Sequence, residues 1–101
     1  MASNARAGDA QFNPNPAVRR AMWLRKEYKR VRGRCHFCKG KCTSPGSTGP
    51  FSPTVDHIVP RAAKGADHPA NWRLSCLTCN SLKGDMSEAE FIAELREAGV
   101  R

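Results

Sequence analysis

The sequence predicts a small α+β domain stapled by one metal ion. Three observations predict it. Two Cys-x-x-Cys units, Cys35-x-x-Cys38 and Cys76-x-x-Cys79, stand well apart in the chain. Two short β-type runs lie between them. Segments with helical spacing flank the set on both sides.

The elements follow in chain order. Residues 1–14 are small and polar with no apolar period and read as a disordered tail, leaving residues 15–101 as a single domain. Asn15-Pro16 starts a helix: Asn caps it, and Pro fits a first turn whose N–H would be unpaired anyway. Val18, Ala21, Met22, Leu24 or Arg25, Tyr28 and Val31 recur at helical spacing, and Gly33 ends the segment. Residues 43–53 are rich in Ser, Thr, Pro and Gly and form a loop. Thr54–Val59 reads as a short strand stopped by Pro60, and Trp72–Ser75 as a second. The link between them suggests an antiparallel hairpin. Cys76–Lys83 reads as a short helix ending near Gly84. Ser87 and Glu90 make a capping box for a last helix with Phe91, Ile92 and Leu95 on its apolar face and Gly99 as its stop.

Charge narrows the partner. The 101 residues carry 17 Lys+Arg against 9 Asp+Glu, a formal net charge of +8. Such an excess points to a polyanion, either nucleic acid or an acidic membrane surface. Aromatic residues make up 7% of the chain, too few for a platform that stacks single strands. No apolar run approaches the about 18 residues of a membrane span, and residues 1–8 lack the apolar core of a signal peptide. The expected compartment is therefore the reducing cytoplasm, where thiols serve as metal ligands more often than as disulfides.

Two thiolates separated by two residues can both turn toward one ion, and two such knuckles complete a tetrahedral Zn²⁺ site. The intervening 37 residues exceed the about 15–20 of a common zinc ribbon. A redox Cys-x-x-Cys normally opens a helix in a βαβ pattern, which is absent here. Four thiolates leave no open coordination position, so a zinc held by Cys35, Cys38, Cys76 and Cys79 is structural. Cys42 and His36 are spare candidates.

The knuckles bracket a second constellation. Asp56-His57 lies on the first strand, Asn71 opens the second, and Asn80-x-x-Lys83 follows the last cysteine. Asp56 and Asn80 offer hard oxygen ligands suited to Mg²⁺ or Mn²⁺. His57 is a candidate general base, because imidazole titrates near neutrality. In a regular strand it points away from Asp56, so the two share a site only if the strand ends or distorts there, as Pro60 permits. The dipeptide recurs as Asp67-His68 in the loop, where Pro69 follows directly and no strand positions it. That disfavours the second pair, although composition leaves both open.

Taken in order, Cys35-x-x-Cys38, Asp56-His57-Ile58-Val59-Pro60, Asn71-Trp72-Arg73-Leu74, Cys76-x-x-Cys79-Asn80 and Lys83-Gly84 resemble the HNH endonuclease motif. The resemblance covers residues 35–84 and is closest to small stand-alone proteins of phages and bacteria. It implies a zinc-stapled ββα-metal finger with flanking N-terminal and C-terminal helices. It also implies roles. His57 is the base that activates water, Asp56 and Asn80 hold the catalytic divalent metal, and Asn71 holds the loop that orients His57. The four cysteines match the family's structural zinc. Asn80 stands where many members have a final His.

The implied activity is metal-dependent hydrolysis of DNA phosphodiester bonds. Residues 19–41 contain ten Lys/Arg and one acid, Glu27. The basic helix, with Arg19, Arg20, Arg25, Lys26, Lys29, Arg30 and Arg32, is expected to contact phosphates, joined by Lys83 near the site. The plainer reading of such a run, a solvated helical face, is outweighed here by the near absence of compensating acid. The alternative function is a non-catalytic zinc-finger DNA-binding module, which needs the same zinc and basic helix but not Asp56, His57 and Asn80 together. A membrane role is disfavoured because the basic helix lacks a wide, bulky apolar face. For a chain of phage origin, a terminase or another packaging protein is the expected neighbour.

Overall fold

The computed structural model describes residues 15–99. The expected disordered tail, residues 1–14, lies outside them, as do residues 100–101. Helix α1 (Pro16–Arg30) opens the domain. A knuckle carrying Cys35 and Cys38 follows, closed by an isolated bridge between Arg34 and Lys41. Strands β1 (Pro53–His57) and β2 (Trp72–Cys76) form an antiparallel ribbon, and helices α2 (Leu77–Lys83) and α3 (Glu88–Glu97) complete the fold. The α+β architecture is the one that the sequence predicts.

Local chemistry explains the element ends. Asn15 Oδ1 accepts from the Ala17 N–H at 2.9 Å, with Pro16 in the first turn of α1. At α3, Ser87 Oγ accepts from the Glu90 N–H, and Glu90 Oε1 accepts from the Ser87 N–H at 2.8 Å. This is the reciprocal capping box. Cys76 caps α2, its sulfur accepting from the Cys79 N–H.

One boundary and one packed face differ most from expectation. Strand β1 ends at His57 rather than Val59. The Asn71 side chain takes both backbone groups of Val59: Oδ1 accepts from its N–H at 2.9 Å and Nδ2 donates to its carbonyl at 3.0 Å. A residue held that way has no groups left for the ladder. The packed stripe of α1 also differs. Trp23, Leu24, Tyr28 and Val31 meet the core, while Val18 and Met22 are exposed. The Trp23 ring meets Trp72 edge to face at 5.5 Å, and so large an apolar contact outweighs the smaller side chains in orienting the helix.

The core is small and centres on the knuckles. Cys35, Phe37, Cys42, Leu74, Cys76, Cys79 and Phe91 are buried together, with Phe37 and Phe91 edge to face at 4.9 Å. Helix α1 packs against both strands, as does α2. Among the described residues no helix is long and apolar enough to cross a membrane.

The loop between the strands folds back on itself. The Gly65 N–H donates to the Pro60 carbonyl at 2.9 Å, and Asn71 Nδ2 donates to the Ala66 carbonyl at 2.8 Å. A Cβ at Gly65 would run into the backbone carbonyls of Val59 and Pro60. Backbone cannot rotate aside as a side chain can, so the loop itself must move. Gly65→Ala is expected to cost about 1–3 kcal/mol of stability, in the range of other overpacked sites. Urea unfolding checks this, and an unchanged midpoint would mean that the loop shifts freely.

Candidate active site and metal centre

The four knuckle sulfurs come together. One ligand atom from each of Cys35, Cys38, Cys76 and Cys79 lies within 4.8 Å of all the others. Tetrahedral zinc with bonds of about 2.3 Å sets its sulfurs about 3.8 Å apart, so small side-chain adjustments place all four on one ion. Backbone N–H groups already aim at the sulfurs: Phe37 at Cys35, Gly40 at Cys38 and Cys79 at Cys76, each at 3.4 Å. Such donors favour thiolate over thiol. Burial pushes the Cys35 thiol up, but the surrounding backbone N–H groups outweigh it and hold it below its ordinary value.

The spare candidates stand apart. Cys42 is buried outside the cluster, its thiol raised to about 11 first by burial and then by the neighbouring thiols. Nε2 of His36 faces Glu88 Oε1 at 3.3 Å.

The second constellation borders a cleft of about 190 Å³ lined by Asp56, His57, Arg61, Asn80 and Asp85, among others. Asp56 and His57 leave opposite faces of the ribbon, yet the strand ends at His57 and both reach the cleft. Asp56 is 4% exposed. Its Oδ1 accepts from Lys83 Nζ at 3.1 Å, and its Oδ2 has no partner. Burial pushes the Asp56 carboxyl above its ordinary range, and Lys83 offsets only part of that. A buried carboxylate oxygen without a partner is costly, and a cation would satisfy it. On α2, Asn80 Nδ2 donates to Thr54 Oγ1 at 2.9 Å, which leaves its Oδ1 as the atom available to a cation. The donor set, a carboxylate and an amide oxygen, fits a hard divalent ion.

His57 is held from the loop. Its Nε2 lies 3.1 Å from Asp67 Oδ1, and its ring meets Trp72 edge to face at 6.5 Å. Asp67 also accepts from Trp72 Nε1 at 3.1 Å and from Arg20 Nη1 at 2.8 Å. Partial burial raises the Asp67 carboxyl, but His57, Arg20 and Trp72 outweigh it and hold it below the usual carboxylate range. His68, the other half of the repeated dipeptide, caps the turn at Pro69–Asn71 through Nδ1. The cleft is lined by the first Asp-His pair and not the second. Asn71 bridges the two arms of the loop.

Residues 35–86 match the HNH endonuclease family. The chain belongs to that family. HNH membership places it among nucleases that work with divalent metals. Among solved structures, the chain is similar to one described as the rare-cutting HNH restriction endonuclease PacI, at 19% identity and a TM-score of 0.49, covering 100% of this chain and 78% of that one. No curated protein matches.

Three expected phosphate contacts are corrected or qualified within this HNH domain. Lys83 is 1% exposed and donates to Asp56 and to the His57 carbonyl at 2.8 Å, so it is withdrawn from the DNA-binding set. It lies one turn after Cys79, and the face that turns Cys79 inward buries Lys83 with it. That i, i+4 spacing was the signal for it. Arg20 pairs with Asp67, and Arg30 pairs twice with Glu27, at 2.8 and 2.6 Å. Arg25, Lys26, Lys29 and Arg32 remain exposed, and Arg19 is half-buried. The sequence offers Asp67 only as half of the disfavoured second Asp-His pair, just before Asn71, and gives no sign that its carboxylate reaches His57.

Proposed function

We propose that this protein is a metal-dependent DNA endonuclease that hydrolyses phosphodiester bonds with His57 as general base. The observation that carries the reading is the buried, unpartnered Oδ2 of Asp56 in a cleft shared with His57 and Asn80. A non-catalytic zinc finger has no use for that arrangement. Asp56 and Asn80 would hold a catalytic Mg²⁺ or Mn²⁺, which would stabilise the charge on the departing 3′ oxygen. His57 takes a proton from water, the water oxygen bonds to phosphorus, and the bond to the 3′ oxygen breaks. Lys83 offsets part of the cost of burying the Asp56 carboxylate, and Asn71 fixes the loop behind His57. Cys35, Cys38, Cys76 and Cys79 would hold a structural Zn²⁺ away from the chemistry.

The test is plasmid nicking after chelation and re-addition of Mg²⁺ or Mn²⁺. Restored cleavage supports the reading. DNA binding without cleavage in any divalent ion would favour the zinc-finger alternative.

The exposed part of α1 would supply phosphate contacts. Arg25 and Lys29 are one turn apart, and each phosphate contact adds about −0.9 to the slope of log affinity against log salt. Arg25→Ala with Lys29→Ala is expected to weaken binding to all DNA sequences alike and to shrink that slope by up to about 2. Turnover at saturating DNA should change little. Unchanged affinity and slope in a salt titration would move phosphate recognition to Arg61, which lines the cleft, and to Lys64 in the same loop.

A further inference from the structure

Asp67 joins three elements through hydrogen bonds to three side chains, with Arg61 Nη1 a longer ionic contact at 3.8 Å from Oδ2. Arg20 comes from α1, His57 from β1 and Trp72 from β2. Its carboxyl stays below the usual range, so near neutrality it only accepts hydrogen bonds. Two donors converge on Oδ1: the Trp72 indole Nε1–H, which can only donate, and His57 Nε2 at 3.1 Å. The Nε2 hydrogen of neutral His57 is therefore assigned by this network. Nδ1 is then the nitrogen with the lone pair, and it has no hydrogen-bond partner among the described residues. Arg20 on Oδ2 and Trp72 on Oδ1 fix the carboxylate from both ends.

We propose that Asp67 is a positioning residue for the reaction: it locks His57 as the Nε2–H tautomer, making Nδ1 the atom that accepts the proton from water. The proposal rests on the reading of His57 as the base. The O–H bond of water breaks, an N–H bond forms at Nδ1, and the Nε2–H stays on the ring, facing Asp67. A base with the wrong tautomer offers a hydrogen where a lone pair is needed, so the carboxylate contributes without touching substrate. The loop that carries Asp67 is held by Asn71 and Gly65, which gives those two residues a role in the same alignment.

The test uses the full chain loaded with its metals. Asp67→Asn keeps the volume, but its single oxygen cannot serve both places: turned toward Arg20, the amide presents its N–H₂ to Trp72 and His57 together and selects the other tautomer. Expected is a fall in kcat of about 10–100-fold, the range seen when metal-bound histidines lose an outer hydrogen-bond partner, with KM for DNA unchanged. Nitrogen-15 spectra of the His57 imidazole in the wild-type protein should show one neutral tautomer, Nε2–H. The variant should show a mixture. In a His57→Ala background, Asp67→Asn should cause no further loss.

Wild-type kcat in Asp67→Asn, with His57→Ala inactive, would overturn the proposal and leave His57 as the base. An equal loss in both backgrounds would also overturn it, because Asp67 would then act through the fold or through DNA binding. So would an Nδ1–H tautomer in the wild-type spectrum, a measurement that stands even if the variant fails to fold. Full activity in His57→Ala would remove the base assignment and the positioning role together.

Discussion

Cys76→Ser and Cys79→Ser are expected to abolish both binding of the proposed zinc and cooperative folding. Structural zinc contributes about 10–16 kcal/mol in small domains, as much as the whole net stability of a typical one, about 5–15 kcal/mol. Little else here could compensate. The core consists of few side chains, and three of the four knuckle cysteines are part of it. A serine at either position removes a ligand and leaves a buried hydroxyl facing the remaining thiolates. Metal analysis together with thermal unfolding by circular dichroism checks the outcome. Cys42→Ser is the control and should retain the metal, since Cys42 lies outside the cluster. A well-folded Cys76→Ser protein without metal would show that the knuckles do not hold the fold together.

His57→Ala should lower cleavage by about 10²–10⁴-fold, the usual cost of removing a general base. Metal content and DNA affinity should stay near wild type, since the imidazole is neither a ligand nor a phosphate contact in the proposed site. The ring is 16% exposed and borders the cleft, so its removal opens space beside the chemistry without exposing the knuckle core. His68→Ala discriminates between the two Asp-His pairs. His68 caps a short turn and does not line the cleft, so turnover there should be close to wild type. Single-turnover cleavage of a labelled duplex at saturating protein measures both. Loss of cleavage in His68→Ala with full activity in His57→Ala would mean that the second pair does the chemistry.

The features legible in the sequence are those whose partners lie within a few residues. The Asn15 cap, the Ser87–Glu90 capping box and each Cys-x-x-Cys knuckle close over two to three positions, so residue type and spacing already specify them. The hairpin was equally readable from its two β-type runs and the breakers between them, and the ββα order followed. The tertiary structure decided what depends on distant residues. Lys83 meets Asp56 across 27 positions, and Arg20 meets Asp67 across 47. A charged side chain looks alike in sequence whether it faces phosphate or a buried carboxylate, and only chain closure sets which partner desolvates it. Asp67 shows the same limit: its loop reads as polar linker until Asn71 and Gly65 fold it back, and only then does its carboxylate reach His57.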